Sequence, residues 1–342
     1  MHTSQPGNEP EKIDLNESAN NPSFTDDWDS YWRGTQEAAL PSSGGAQDQA
    51  LNIFWTKFFR EEFPRHEKPR LLDAACGNGA VTGFALQIAK SIESVELTVS
   101  CMDYSKSAIE SLEQKYPGVQ GVACDASETP FADGDFDIVA SQFGLDYAGA
   151  AAFDEAARLV SKDGVLVAVV HMKSGAIFEE CAENLDAIDS LKESQLLSLA
   201  RDAFDAGLAV VAGNAPQTTF RDADMKFAPA VESLKATLGK YGPQVAGGMI
   251  LRLGNDLGVM YQKIEAYVPQ EVSDWLDRMG VELAAYAGRM QSMVNAAFDE
   301  ADMKELSSRL RSKGLTVDTY DKMKMGKSKA PAAWILVGRR LG

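Results

Sequence analysis

Residues 71–83 read LLDAACGNGAVTG, an apolar run that breaks at Asp73 and passes into Cys76-Gly77-Asn78-Gly79. A glycine pair after a strand lets the backbone turn sharply and present N–H groups to a ligand at the start of the next helix. A dinucleotide fingerprint, G-x-G-x-x-G, needs its third glycine at residue 82, but Thr82 stands there and Gly83 comes one residue late. A P-loop needs Gly-Lys-Ser/Thr, whereas residues 79–81 are Gly-Ala-Val. Asp73, four positions before Gly77, would repel a pyrophosphate and suits a ligand that carries an ammonium group. S-adenosylmethionine meets that description: an amino acid, a sulfonium and an adenosine, with no phosphate.

Around this turn the pattern alternates. Strands at 71–75, 95–102, 119–124, 136–141 and 165–170 are separated by helices at 79–91, 106–115 and 150–161 and by one polar loop. Continuous β-branched runs divided by helices mark a parallel sheet covered on both faces. Upstream, Leu51–Phe63 carries apolar residues at 51, 54, 55, 58 and 59, a helical stripe ending before Pro64. Asp27-Trp28-Asp29-Ser30-Tyr31-Trp32-Arg33 packs three aromatics into five positions, and residues 1–24 are polar enough to predict a mobile tail.

After residue 171 the pattern changes. Residues 172–299 show only helical periodicity, with one stripe at Ile250, Leu253, Leu257, Met260, Tyr261 and Ile264. A second runs through Trp275, Met279, Leu283, Tyr286, Met290 and Met293. Such stripes predict helix-packing core, a pocket lining or a dimer interface. The loop Gly213–Ala223 reads as a hinge. Residues 300–313 form one more amphipathic helix, and Leu315–Tyr320 and Ala332–Arg340 read as strands around the turn MGKSKAP, closing an antiparallel hairpin.

The formal charge of −17 repels phosphate backbones and points away from nucleic acid. The four cysteines have no short paired spacing and fit packed, reduced thiols. Histidine occurs only at positions 2, 66 and 171, which argues against a His-based metal site. No apolar stretch reaches 18 residues and the N-terminus lacks a signal-peptide core, so no membrane role and a cytoplasmic location are expected.

The ends of the other strands sharpen the ligand. Met102-Asp103-Tyr104 closes the second strand, where a carboxylate accepts ribose hydroxyls. Cys124-Asp125-Ala126 follows the third, where an acceptor meets an adenine amino group. With LLDAACGNG, Asp103, the CDA step, PFADGDFDIV and LVSKDGVLVAVV, residues 50–171 resemble the class I S-adenosylmethionine-dependent methyltransferases. The resemblance is to their small-molecule branch of ubiquinone/menaquinone type, and it returns at 300–342.

That resemblance implies residue roles. Asp73 and the Ala75–Gly79 backbone, with Cys76, Gly77 and Gly79, would face the methionine part; Asp103 would hold the ribose with Tyr104 beside the adenine. Asp125 and Ala126 would bind the adenine edge, Gln142 and Phe143 would close over the sulfonium side, and the aromatic segment containing Trp32 would cover the cofactor. The base, where the acceptor needs one, is His171 at the end of strand five, with Asp146 and Tyr147 as the second pair. No metal is expected. Asp73 and Asp103 also have plain readings, as a helix cap and as a turn residue before a serine-capped helix.

The expected fold is α/β: a Rossmann-like, doubly wound, mostly parallel sheet with a closing antiparallel hairpin and an all-helical insertion between strand five and the hairpin. The expected divisions are a tail at 1–24, an N-terminal helical lid at 25–64, a cofactor-binding core at 65–171, the insertion at 172–299, and the return of the core at 300–342. The expected activity is methyl transfer to a small-molecule acceptor by in-line displacement. The insertion would be a lid over that acceptor or a homodimerisation arm. Two other readings keep the same fold: a non-catalytic scaffold that binds a partner, and an aminopropyl-type S-adenosyl group transferase.

Overall fold

The computed structural model describes residues 49–341 except 94, 318–319 and 327–329. Trp32, the aromatic segment around it and the N-terminal tail lie outside the described residues. The first described element is α1 (Gln49–Glu62). Its apolar stripe buries Leu51, Trp55, Phe58 and Phe59 and leaves Phe54 partly buried, and Trp55, Phe59 and Phe63 stack successively at 5.4 and 5.0 Å between ring centroids. A 3₁₀ turn over Phe63–Arg65 holds Pro64, which cannot continue the ladder of hydrogen bonds.

Then β1 (Arg70–Ala74), α2 (Ala80–Lys90), β2 (Thr98–Asp103), α3 (Lys106–Lys115), β3 (Gln120–Ala123), β4 (Phe136–Gln142), α4 (Gly149–Leu159) and β5 (Val160–His171) alternate as expected. The C-terminal part adds α10 (Glu300–Ser312), β6 (Leu315–Thr316), β7 (Tyr320–Lys324) and β8 (Pro331–Arg340). Eight described strands form one sheet in the order β3-β2-β1-β4-β5-β8-β6, with β7 also paired to β8. The first five are parallel; β8 runs antiparallel to β5, from Val165↔Arg339 to His171↔Ala333.

Side chains alternate across the sheet. On one face Leu71, Cys101, Ile138, Val165 and Val167 bury against α1, α2 and α3. On the other, Leu72, Ala74, Met102, Val139 and Leu166 bury against α4 and α10. Alternation also sends Asp73 toward the α2 face.

Three expectations are corrected here. Strand five begins at Val160, five residues earlier than expected, because Lys162-Asp163-Gly164 is looped out within it: Phe136 pairs with Val160 and Ile138 with Val165. The expected strand Leu315–Tyr320 divides into β6 and β7, both paired to β8. The expected hinge is shorter than Gly213–Ala223, because Gln217 already begins a helix.

The insertion contains α5 (Ala176–Glu193), α6 (Leu196–Val211), α7 (Gln217–Tyr241), α8 (Met249–Gln262) and α9 (Pro269–Asn295). These build a third apolar cluster around Leu196, Phe204, Leu234, Ile250 and Leu283. The α8 stripe buries Ile250, Leu253, Leu257 and Met260. On α9 the buried line at its N-terminal end runs through Val272 and Leu276 rather than Trp275 and Met279, one residue off the expected register. No described helix is long and apolar enough to cross a membrane.

The insertion leaves and rejoins the sheet at one place. Met172 bridges Phe298; Phe298 N–H donates to the His171 carbonyl at 2.9 Å. Trp334 Nε1 on β8 donates to the Phe298 carbonyl at 2.8 Å.

Candidate functional site

The C-terminal ends of parallel strands border the ligand crevice of an open α/β sheet. At the end of β1 the chain turns through Ala75 (φ 52°), Gly77 (φ 50°) and Gly79 (φ 77°), all left-handed, and Gly79 is the N-cap of α2. Ala75 pays for that conformation, which glycine adopts freely. The turn is pinned to β2 at two points: Cys76 N–H donates to the Met102 carbonyl at 2.9 Å, and Gly77 N–H to Asp103 Oδ2 at 2.8 Å. Cys76 itself is buried, and burial, the neighbouring Cys101 thiol and the Asp103 and Asp73 carboxylates push its thiol well up. It is packing rather than a nucleophile.

Asp73 sits below the turn, 1% exposed. Its Oδ2 accepts from Thr82 N–H at 2.9 Å and Thr82 Oγ1 at 2.7 Å, so it anchors the first turn of α2. Burial raises its carboxyl to about 7, against the opposing pull of the two Thr82 bonds. The helix-capping reading describes this side chain, and it reaches the ligand crevice only through the loop it holds.

Asp103 ends β2 half-buried. Its Oδ1 accepts from Ser105 N–H at 2.9 Å, while burial raises its carboxyl and the Ser105 and Gly77 N–H groups oppose that rise. Ser105 also caps α3, accepting from Ala108 N–H at 3.2 Å. Tyr104 beside it is 62% exposed, a bare aromatic face at the end of β2. Asp125, past β3, folds on itself: its Oδ1 accepts both the N–H and the Oγ of Ser127 at 2.7 Å, and the partly buried Ala126 packs on the α4 side of the sheet.

At the end of β4, Gln142 Oε1 accepts Trp55 Nε1–H at 2.7 Å. An indole nitrogen only donates, so the Gln142 oxygen must face α1 and its amide N–H groups face away. Phe143 takes a left-handed φ of 51° and donates its N–H to Val169. Gly144 then presses on the glycine turn: a Cβ there would lie 2.6 Å from Ala75 Cβ and 2.7 Å from its carbonyl oxygen. Only glycine lets the two loops touch.

One strand further on, the structure brings together the candidate base residues. Asp146 Oδ2 accepts the His171 backbone N–H at 2.7 Å and pairs with His171 Nδ1 at 2.8 Å. The side chains are 0% and 3% exposed respectively. The imidazole lies 4.5 Å from the Phe143 ring and meets the Tyr147 ring edge-on at 5.3 Å. Asp146 Oδ1 is buried and no described residue donates to it, an arrangement that costs about 1–3 kcal/mol in protein interiors. No group of three or more potential metal ligands occurs among the described residues.

Two parts of this site escape the sequence motifs. Trp55 lies 87 residues from Gln142, and Thr82 nine from Asp73. A carboxylate at a strand end followed by a threonine in the first helical turn is the one signal that points to the Asp73 anchor.

These residues fit S-adenosylmethionine. No Lys or Arg pairs with Asp73, Asp103 or Asp125 among the described residues, so no side-chain cation neutralises the Asp103 and Asp125 carboxylates that border the crevice. The Ala75–Gly79 backbone would hold the amino-acid end, Asp103 the ribose, and the Tyr104 face the adenine.

A family model described as a methyltransferase domain matches residues 72–168. Over 118 residues the chain is 25% identical to a ubiquinone/menaquinone biosynthesis C-methyltransferase of Campylobacter jejuni, covering 33% of this chain and 50% of that protein. The chain thus spans about half the length of the curated relatives it matches. Among solved structures, geranyl diphosphate C-methyltransferase from Streptomyces coelicolor, in complex with Mg²⁺, geranyl diphosphate and S-adenosyl-L-homocysteine, aligns with 9% identity and a TM-score of 0.44, over 94% of this chain and 100% of that one. A methyltransferase in complex with the Haloferax volcanii Trm112 activator aligns with 11% identity and a TM-score of 0.41, over 92% and 98%. The match to the methyltransferase-domain model thus runs from β1 into β5 and takes in the glycine turn, Asp103 and Tyr104.

Proposed function

We propose that the chain transfers a methyl group from S-adenosylmethionine to a small-molecule acceptor held between the C-terminal edge of the sheet and the helical insertion. The observation that carries this reading is the set of crevice acids engaged by N–H and O–H groups instead of cations, with Gly77 bound to Asp103 at 2.8 Å. When bound, the cofactor supplies an electrophilic methyl carbon on a sulfonium. The chain's own residues bind, orient and exclude water. Asp103 keeps lone pairs for ribose hydroxyls beside its two N–H bonds. Gln142, its oxygen held by Trp55, turns its amide donors away from α1.

A small acceptor is supported by the packing of the insertion against the sheet edge. Ile177 and Cys181 of α5 and Met290 of α9 join the apolar cluster that Phe143 packs against, so the insertion brings apolar surface to the sheet edge. The net charge of −17 also disfavours a polyanionic substrate. The ubiquinone/menaquinone-type branch is one class within this reading, consistent with an apolar acceptor.

Calorimetric titration of S-adenosylhomocysteine tests the reading. Wild type is expected to bind with a Kd on the order of micromolar, and Asp103→Ala to bind at least about tenfold more weakly, the worth of one charge-assisted hydrogen bond. Folded wild type that binds no S-adenosylhomocysteine overturns it.

A further inference from the structure

We propose that Asp146 and His171 form the proton-accepting pair of this site and that the acceptor substrate is a phenol-class hydroxyl compound methylated on oxygen. This rests on the methyl-transfer reading above. The chain holds two histidine–carboxylate pairs among the described residues, and they differ in kind. His66 faces Glu62, whose two oxygens are taken by Arg339 at 2.9 and 2.6 Å, with Arg65 3.6 Å away. That carboxylate is neutralised by guanidinium groups and ties α1 to β8. Asp146 has no Arg or Lys: its recorded donors are the N–H and Nδ1 of His171. Its charge is committed to the imidazole alone.

The geometry also sets the tautomer. Asp146 Oδ2 already accepts a backbone N–H, so it acts as an acceptor and the proton lies on Nδ1. No described residue hydrogen-bonds to Nε2, which keeps its lone pair. Phe143 and Tyr147 hold the ring between them. His171 ends β5, two residues beyond the Gln142↔Val169 pair, and β4 alone separates β5 from β1. Strands lie about 4.8 Å apart, so the base stands roughly 10 Å from the glycine turn, enough for a reacting atom and a methyl group between them. Gly144 in contact with Ala75 completes that line across the sheet edge.

This pair selects the acceptor's chemistry. A neutral amine attacks with its own lone pair and sheds its proton afterwards, and a thiol ionises readily enough without a dedicated base. An unactivated carbon acid holds its proton too tightly for imidazole. A phenolic or enolic hydroxyl is the group whose nucleophilicity depends on a base of imidazole strength. In the step itself, the acceptor oxygen donates a pair to the methyl carbon and the carbon–sulfur pair returns to sulfur, which departs as the thioether. The O–H pair stays on oxygen and its proton passes to Nε2. Asp146 then faces an imidazolium, as a positioning residue that stabilises the charge.

Two readouts test this. Long-range ¹H–¹⁵N spectra of histidine-labelled protein, with the His171 signals assigned by their loss in His171→Gln, are expected to show Nδ1–H and an unprotonated Nε2 without any ligand. An Nε2–H tautomer overturns the proposal. Methyl transfer is then followed with 4-methylcatechol, 4-methylphenol and benzylamine as probes, the two phenols being un-ionised at neutral pH. Wild type is expected to methylate a phenol; His171→Gln is expected to lower kcat about 10²-fold or more, with KM and S-adenosylhomocysteine affinity changed less than about threefold. Asp146→Asn is expected to fall between the two and to weaken the Nδ1–H signature. Transfer to benzylamine alone, no transfer to either phenol by protein that binds S-adenosylhomocysteine, or an unchanged kcat in His171→Gln each overturns it. Failure of wild type to bind S-adenosylhomocysteine marks failure of the parent reading instead.

Discussion

Acids at the sheet's C-terminal edge and acids in the helical insertion are treated differently. At the edge, Asp73, Asp103 and Asp125 are satisfied by Thr82, Gly77, Ser105 and Ser127, through N–H and O–H groups that carry no net charge. In the insertion, Asp189 pairs with Lys192, Glu232 with Lys235 and Asp277 with Arg201, at or near the surface. The far end of the sheet follows the insertion's pattern, with Asp137 on Arg70 and Glu62 on Arg339. Cation pairing cancels charge where stability alone matters; dipolar pairing at the crevice holds each acid in place and, for Asp103 and Asp125, leaves the carboxylate's field standing for a ligand. The left-handed Ala75 and Phe143 both lie where the two crevice loops touch, while Gln195 and Ala246 take the same conformation within the insertion.

The comparison breaks if the insertion and the crevice prove to be one energetic unit. Phe204 is fully buried in the insertion's own cluster, and Phe204→Ala is expected to cost about 3–5 kcal/mol in urea unfolding. S-adenosylhomocysteine affinity should stay within about twofold; a proportionate loss of affinity would show that the bundle and the crevice are coupled.

Asp73 sharpens the contrast through pH. Its carboxyl titrates near 7 in the fold, raised chiefly by burial, against about 3.9 in an unfolded chain. The folded state therefore holds the proton more tightly, so this stabilisation is fully present below about pH 4 and is lost as pH rises through 7. The stability difference between wild type and Asp73→Asn should fall by up to about 4 kcal/mol between pH 4 and 8. A flat difference would show that the two Thr82 bonds cancel the effect of burial, and a rising one that they outweigh it.

At Gly144 the added methyl of alanine must displace Ala75. A cost of about 1–3 kcal/mol is expected, with weaker cofactor binding because the displaced residue opens the glycine turn. The smallest effect belongs to the insertion surface: Arg201→Ala, which removes the 2.6 Å pair with Asp277, should change stability by less than about 1 kcal/mol and fade with salt.

The sheet was legible because its signal is local: apolar runs of fixed period, glycines at a strand end, acids at or just past the ends of two others. The candidate dyad was half legible, since His171 stood at a strand end and Asp146 shortly after another, while their meeting needed β4 and β5 to be neighbours. What stayed hidden is encoded across distance or in conformation. Trp55 orients Gln142 from α1, Ala75 and Phe143 are left-handed without being glycine, and the turn looped out within β5 looks like a strand boundary. The α9 register slipped by one residue because a 27-residue helix drifts against any fixed spacing, so Leu276 replaced Trp275 on the buried side.

The bridge between Met172 and Phe298 has a consequence for how such a chain can diversify. Because the excursion returns to the residue beside its departure, the sheet experiences it as a closed attachment whose length it never measures. Doubling a loop adds only about 0.6 kcal/mol of closure entropy, so helices can be exchanged, shortened or lengthened above the crevice without altering a single strand pairing. New acceptor preferences can thus be acquired by replacing the attachment, with the donor side inherited intact; a chimera carrying a foreign helical segment between residues 173 and 297 is the corresponding engineering experiment.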